Sequence, residues 1–337
     1  MAKIVFYCRD SLDNILAMEY YRQDIQALRA LGNEVIICNR YRDIPWQFDV
    51  MYVWWWTYAL VPVLFARLLG RLSMVTGVYN FRFEHKSYGA DYFARPWHQR
   101  LLISLATRLT DANLFVSERE FNEVPAYFKL KESYYFPCAI DEEYFSAGQT
   151  MLPRAGLLNI AWSGTENLKR KGVWDILEAM ALLKKRKISV SLTLAGKQGD
   201  AYPKLHSRIA ELGLEDVVTA VGEISQHEKL KLFSSTKLYL QPSYFEGFGL
   251  ATAEAMASGC CVITCDVGEV RNVVGNGGLY VHPGRPVELA NAIEALLADQ
   301  GAIDNLNRDA AERMKDLFSF HRKVQILRSA LQKITKI

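Results

Sequence analysis

Short apolar runs alternate with longer amphipathic stretches along all 337 residues, and this alternation restricts the fold more than any other feature. KIVFYC, EVIICN, VMYVWW, SMVTGVY and ANLFVS read as strands of an N-terminal series. Helical patterns lie between them, such as ILAMEYYRQDIQALRALG, which closes on Gly32 as a helix C-cap. A second series follows the weakly patterned SAGQTMLPRAG at 146–156 and contains LNIAWSG, SVSLTLAG, VVTAVG, KLYLQPS, CVITCD and GLYVHPG. Alternating β and α elements imply parallel sheets covered by helices on both faces. The sequence therefore predicts an α/β fold with two doubly wound, Rossmann-like domains, 1–150 and 151–319, facing a cleft.

Charge excludes little beyond nucleic acid: forty basic against thirty-seven acidic residues give +3, too small a surplus for a nucleic-acid binder. Cys8, Cys38, Cys138, Cys260, Cys261 and Cys265 show no C-x-x-C spacing and sit in or beside apolar runs, as core thiols of a cytoplasmic protein do. The N-terminal MAKIVFYC reads as a first strand and lacks the sections of a signal peptide. VWWWTYALVPVLFARLLGRL (53–72) is the most membrane-like stretch, but Arg67 and Arg71 interrupt it. A strand end followed by an amphipathic helix is expected there, with peripheral membrane contact by its surface as the alternative. YNFRFEHKSYGADYFARP (79–96) has no clear period, and so long a loop suggests a function. Its aromatics, with Arg82, His85, Lys86 and Arg95, suit sugar rings and negative charge.

SYFEGFGLATAEAMASG (243–259) carries the most specific chemistry. KLYLQPS is a strand, FEGFG a tight turn and LATAEAMAS a helix ended by Gly259. Ligands of doubly wound folds bind beyond the carboxyl ends of strands, where the following helix offers free N–H groups and a positive dipole end. Gly247 and Gly249 allow close approach to the backbone, so a phosphate or sugar oxygen is expected near Gly249 and Leu250. Glu254, one turn into the helix, can offer two acceptor oxygens to adjacent ribose hydroxyls. Glu246, on the loop, is expected at hydroxyls on the other end of the same ligand.

WSGTENLKRKGVWDILEAMALLKK places Lys169, Arg170 and Lys171 ahead of Gly172 and a strongly amphipathic helix. Cations at a helix start oppose its dipole unless an anion lies between them and the helix. A solvated charge run is the plain alternative. Opposite a glycine turn, a diphosphate fits better.

These motifs resemble the retaining glycosyltransferases of family 4, which have the two-domain GT-B fold. Glu246 and Glu254 match the family's E-x7-E pattern and Lys171-Gly172 its lysine-glycine motif; PCAIDEEYF (137–145) and GGLYVHPGRPVELANAIEALLAD (277–299) also resemble it. The resemblance implies that Gly164, Thr165, Arg170, Lys171, Glu246, Gly247, Phe248, Gly249, Leu250 and Glu254 bind a nucleotide-sugar donor. It gives catalytic roles to Glu246, Lys171 and His85, with Asn80 an equally placed alternative to His85. It also implies an acceptor held by the N-terminal domain and a final helix within 320–337 returning to that domain. Where the family often has an arginine after the first glycine, Gly164 is followed by Thr165, and Arg170 is the nearest substitute. The family's glycine-glycine-x-x-glutamate stretch reads Gly268-Glu269-Val270-Arg271-Asn272.

The expected activity is transfer of a hexose, with retention and without a metal or other cofactor, to a saccharide or lipid-linked acceptor in polysaccharide or glycolipid synthesis. UDP-glucose is the first donor expected and GDP-mannose the second. No D-x-D motif or His/Asp cluster appears, so cationic side chains and helix ends must neutralise the leaving diphosphate. A nucleotide-sugar epimerase of the same architecture and a non-catalytic sugar-binding module are the competing readings.

Overall fold

The computed structural model describes residues 1–82, 91–149 and 153–335, so His85 and Lys86 lie outside the described residues. Two parallel six-stranded sheets organise the chain. The first contains β1 (Lys3–Tyr7), β2 (Glu34–Cys38), β3 (Val50–Trp54), β4 (Leu72–Gly77), β5 (Ala112–Phe115) and β6 (Ser133–Tyr135), in the order β2-β1-β3-β4-β5-β6. The second contains β7 (Ala155–Ile160), β8 (Leu192–Ala195), β9 (Val218–Gly222), β10 (Thr236–Gln241), β11 (Cys261–Cys265) and β12 (Gly278–Val281), in the order β12-β11-β10-β7-β8-β9. Both units are Rossmann-like α/β folds. Their interior strands are buried on both faces: every residue of β3 and of β11 is buried, which is why each reads as an almost continuous apolar run.

One unit comprises Met1–Ala139 with Phe318–Ile337, the other Ile140–Leu317. The division thus falls about ten residues before the boundary expected at 150. The reason is the helix Glu142–Gly148: Tyr144 is buried against Phe233, and its hydroxyl accepts a hydrogen bond from Gln226 at 3.0 Å. A side chain on Gly148 would meet the Ala257 carbonyl at 2.6 Å, so this helix is sealed onto the second unit.

In the first unit, the pattern expected to form one helix over 15–32 forms two, Leu12–Ala17 and Glu19–Ala30, because Met18 is extended between them. The segment 53–72 resolves into the end of β3, the helix Leu60–Leu68 and the start of β4. That helix packs against Trp97–Leu109, and the two share a core through Val63, Ala66, Ile103 and Ala106. The final helix, Phe320–Thr335, carries the buried Lys323, whose ammonium lies 2.8 Å from the fully buried Asp24. Asp24 also accepts hydrogen bonds from Tyr52 and Trp54, each at 2.7 Å. All six cysteines are buried free thiols.

Candidate functional site

The strand order of the second unit reverses between β7 and β10, and in doubly wound folds that is where the loops part to admit a ligand. The loop after β7 leads into a short helix, Thr165–Arg170, and then through Lys171 and Gly172 into the helix Val173–Lys185. The loop after β10 carries Ser243 to Gly249 and leads into the helix Leu250–Ala257. Each of the two longer helices starts at a glycine in the left-handed region, Gly172 at φ 68° and Gly249 at φ 88°. Gly172 is required twice over, since a Cβ there would lie 2.1 Å from the Pro242 carbonyl. The two loops are therefore in backbone contact, and the Tyr244 N–H donates to the Arg170 carbonyl at 2.8 Å.

At this junction Lys171 and Glu246 meet in a direct ion pair, with side chains 14% and 6% exposed. Arg170 stands 3.5 Å from the other oxygen of the same carboxylate and donates to the Phe245 carbonyl at 3.0 Å and to Asn167 at 2.8 Å. Behind Glu246 runs a buried chain of hydrogen bonds: Tyr239 to Gln241 at 2.7 Å, Gln241 to Ser243 at 2.8 Å, Ser243 to Glu246 at 3.0 Å. Burial pushes the Glu246 carboxyl up, but Lys171 and then Arg170 outweigh it and hold the group below its ordinary range. Glu246 is therefore no open loop glutamate; its carboxylate already serves as counter-ion to both cations. Arg170 and Lys171 also close the C-terminal end of the short helix, where the dipole favours positive charge. The sequence expectation, built on the following helix alone, did not include this second source of stabilisation.

Glu254 has its own dedicated partner. It is 4% exposed, and its carboxylate lies 2.6 Å from the Lys229 ammonium, on the helix Gln226–Ser235. Lys229 in turn sits 5.4 Å from the Tyr144 ring centroid. One of the two oxygens expected to face ribose hydroxyls is thus held by a lysine. Thr165 also departs from expectation: its N–H and hydroxyl donate to Asp200 at 2.8 and 2.9 Å, so neither is free for a phosphate. Gly164 caps that short helix, Phe248 is buried, and a side chain at Gly247 would point into open space. Gly268 backs the site from β11: at φ 56°, a Cβ there would lie 1.8 Å from the Glu246 carbonyl. Among the residues that sequence reasoning did not single out, Ser243, Asp200 and Lys229 touch expected site residues, and Gln241 reaches Glu246 through Ser243.

In the first unit, Asn80 has a positive φ of 56°, and its N–H donates to the buried Glu120 at 2.6 Å. Glu120 also accepts from the Tyr79 N–H at 2.9 Å, which fixes the backbone just before the segment holding His85. Among the described residues, no group of three or more His, Cys, Asp or Glu side chains could hold a metal, and no helix is long and apolar enough to cross a membrane.

Residues 165–316, which contain Lys171, Glu246 and Glu254, match the family model described as "Glycosyl transferases group 1". The D-inositol 3-phosphate glycosyltransferase of Pseudarthrobacter chlorophenolicus is 31% identical over 151 residues, 43% of this chain and 36% of that protein. The O-antigen chain mannosyltransferase of Salmonella typhimurium is 26% identical over 227 residues, 66% of this chain and 62% of that one. The chain thus spans less than two thirds of the length of either relative. Two solved structures share the whole fold. Sucrose-phosphate synthase from Thermosynechococcus elongatus superposes with a TM-score of 0.77 at 19% identity, covering 100% of both chains. The Anabaena protein HepE, solved with UDP, gives 0.75 at 16% identity, covering 99% of this chain and 100% of that one. Residues 165–316, the segment that builds the β7–β10 junction, carry the chain's similarity to the glycosyl transferases group 1 family.

Proposed function

We propose that this protein is a retaining, metal-independent glycosyltransferase that moves a hexose from a nucleotide sugar to a saccharide or lipid-linked acceptor in glycan assembly. The observation that carries this reading is the Lys171–Glu246 pair, with Arg170 beside it, set between the starts of two helices at the β7–β10 junction. Two cations and two positive helix ends suit a diphosphate leaving group, and the acidic partner keeps the cations in place before the donor arrives. A UDP-sugar is the first donor we propose and GDP-mannose the second. Support comes from the family match and from relatives named as mannosyltransferases and an inositol phosphate glycosyltransferase.

In the reaction, the bond between the anomeric carbon and the diphosphate breaks, and its electron pair goes to the diphosphate oxygen. The acceptor hydroxyl bonds to the same carbon and passes its proton to the departing diphosphate. Lys171 and Arg170 stabilise the charge that grows on the diphosphate, a preorganised electrostatic role that replaces a metal. Glu246 orients Lys171 and meets the hexose hydroxyls, and the Gln241–Ser243 chain fixes Glu246. Glu254 binds the ribose with its oxygen not held by Lys229. Incubation with a panel of nucleotide sugars and saccharide acceptors, with free nucleotide and product both followed, tests the reading. Acceptor-dependent nucleotide release supports it, an epimerised donor assigns an isomerase, and tight binding without turnover assigns a binding module.

A further inference from the structure

Two neighbouring helices of the first unit leave apolar side chains on their outer faces. In Leu60–Leu68, Val63 and Ala66 are fully buried, while Val61, Leu64 and Leu68 are exposed, Leu68 by 85%. In Trp97–Leu109, Ile103 and Ala106 are buried, while Trp97, Leu101 and Leu105 recur every fourth residue on the exposed side, Trp97 by 71%. Trp46, 73% exposed, adds its ring at 5.3 Å from that of Phe65. The crossovers β3 to β4 and β4 to β5 run in one direction across the sheet, so right-handed connections place both helices on the same face. Their exposed stripes therefore look the same way.

The two helices and their immediate flanks carry charge of one sign, while Asp43 and Asp49 lie beside Trp46. Residues 56–74 and 92–110 contain five arginines, Arg67, Arg71, Arg95, Arg100 and Arg108, and no aspartate or glutamate. Arg67, Arg71 and Arg108 are exposed. Two copies meeting through this face by two-fold symmetry would bring arginines against arginines, which opposes self-association. An apolar interior beneath anionic headgroups matches both features together, and tryptophan suits the boundary between them.

We propose that this face docks on the surface of an anionic bilayer, with Trp46, Leu68, Trp97 and Leu101 entering the headgroup layer and Arg67, Arg71 and Arg108 on lipid phosphates. Neither signal holds a protein alone; an apolar patch and a basic patch together do. Docking involves no donor, so it stands or falls separately from the sugar-transfer reading.

The test is co-sedimentation of the full chain, without nucleotide, with vesicles of phosphatidylcholine and phosphatidylglycerol in equal parts, and with phosphatidylcholine alone. The wild type should sediment with the mixed vesicles, less so as salt rises, and not with the neutral ones. Trp97→Ser with Leu101→Ser should weaken partitioning by about tenfold or more, through lost apolar burial. Arg67→Glu with Arg71→Glu should do the same through charge, by about tenfold or more. Both variants change exposed residues, so their melting temperatures and nucleotide affinity should match the wild type. No sedimentation of the wild type, or sedimentation of both variants equal to that of the wild type, overturns the proposal. A wild-type dimer in analytical ultracentrifugation that either variant dissolves would assign the face to self-association instead.

Discussion

Replacing Lys171 by methionine removes the cation closest to Glu246 while keeping most of the side-chain volume. The carboxylate that remains is 6% exposed, with Arg170 at 3.5 Å and the Ser243 hydroxyl at 3.0 Å. Breaking a buried pair by removing one partner costs about 3–5 kcal/mol, and the two surviving partners point to the lower end, about 3 kcal/mol. In a unit of this size that lowers the melting temperature by about 6–12 °C. The pH dependence identifies the cause. In the wild type, Glu246 sits below its ordinary value of 4.5, so its contribution is complete above that value and is lost as pH falls through the lowered native one. In the variant, burial is opposed only by Arg170 and the Ser243 hydrogen bond, so the carboxyl titrates higher and the cost is felt at neutral pH. The stability gap between the two proteins should therefore be widest near neutrality and close towards pH 4. Calorimetric unfolding across that range reads the gap. The same variant should bind a nucleoside diphosphate about 10–150-fold more weakly, one charge-assisted hydrogen bond being worth about 1.5–3 kcal/mol. Affinity for the uncharged nucleoside should not change. A gap independent of pH, or equal losses for both ligands, would refute the pairing and the phosphate contact respectively.

Glu246→Gln keeps the shape and the Ser243 contact but not the charge, and should reduce turnover far more than nucleoside diphosphate affinity; equal losses in the two assays would place Glu246 at the nucleotide. Gly268→Ala drives a methyl group into the Glu246 carbonyl at a positive φ, and should cost about 2 kcal/mol or more of stability in a denaturant titration, with turnover falling too. Chelators should leave transfer rates unchanged, and activity lost to EDTA and restored by a divalent ion would remove the cationic clamp from the mechanism. Lys323→Met should destabilise the first unit by about 3–5 kcal/mol, since Asp24 is fully buried, and Asp24→Asn in the same chain should recover part of the loss.

The sequence disclosed what repeats along the chain and concealed what depends on distant meetings. Eleven of the strands in the two sheets coincide wholly or in part with the apolar runs read at the outset, because parallel strands covered on both faces are largely apolar. The edge strand β6 escaped notice because Ser133, Tyr134 and Tyr135 are all half-exposed and show no alternation. Met18 divides one amphipathic pattern in two, since a single extended residue barely disturbs helical periodicity. Glycine turns marked the region of the site, but Lys171 and Glu246 lie 75 positions apart, and their contact exists only because β7 and β10 are neighbours. The partner of Glu254 was equally hidden: Lys229 sits on an ordinary charged helix, and nothing local distinguishes it from the lysines around it.

The buried Lys323–Asp24 contact makes the first unit discontinuous in the chain, with all of Ile140–Leu317 lying between its two pieces. During synthesis, the second unit is complete in sequence before Lys323 has been added. It can fold as an independent body while the first unit still exposes Asp24, Tyr52 and Trp54, three groups the finished structure seals together. Folding the insert early also shortens the flexible loop that must close when the last helix arrives, and so lowers the entropy cost of that closure. Order of emergence from the ribosome, and not only final stability, thus bears on whether this protein reaches its native state: a defect confined to the second unit would delay completion of the first.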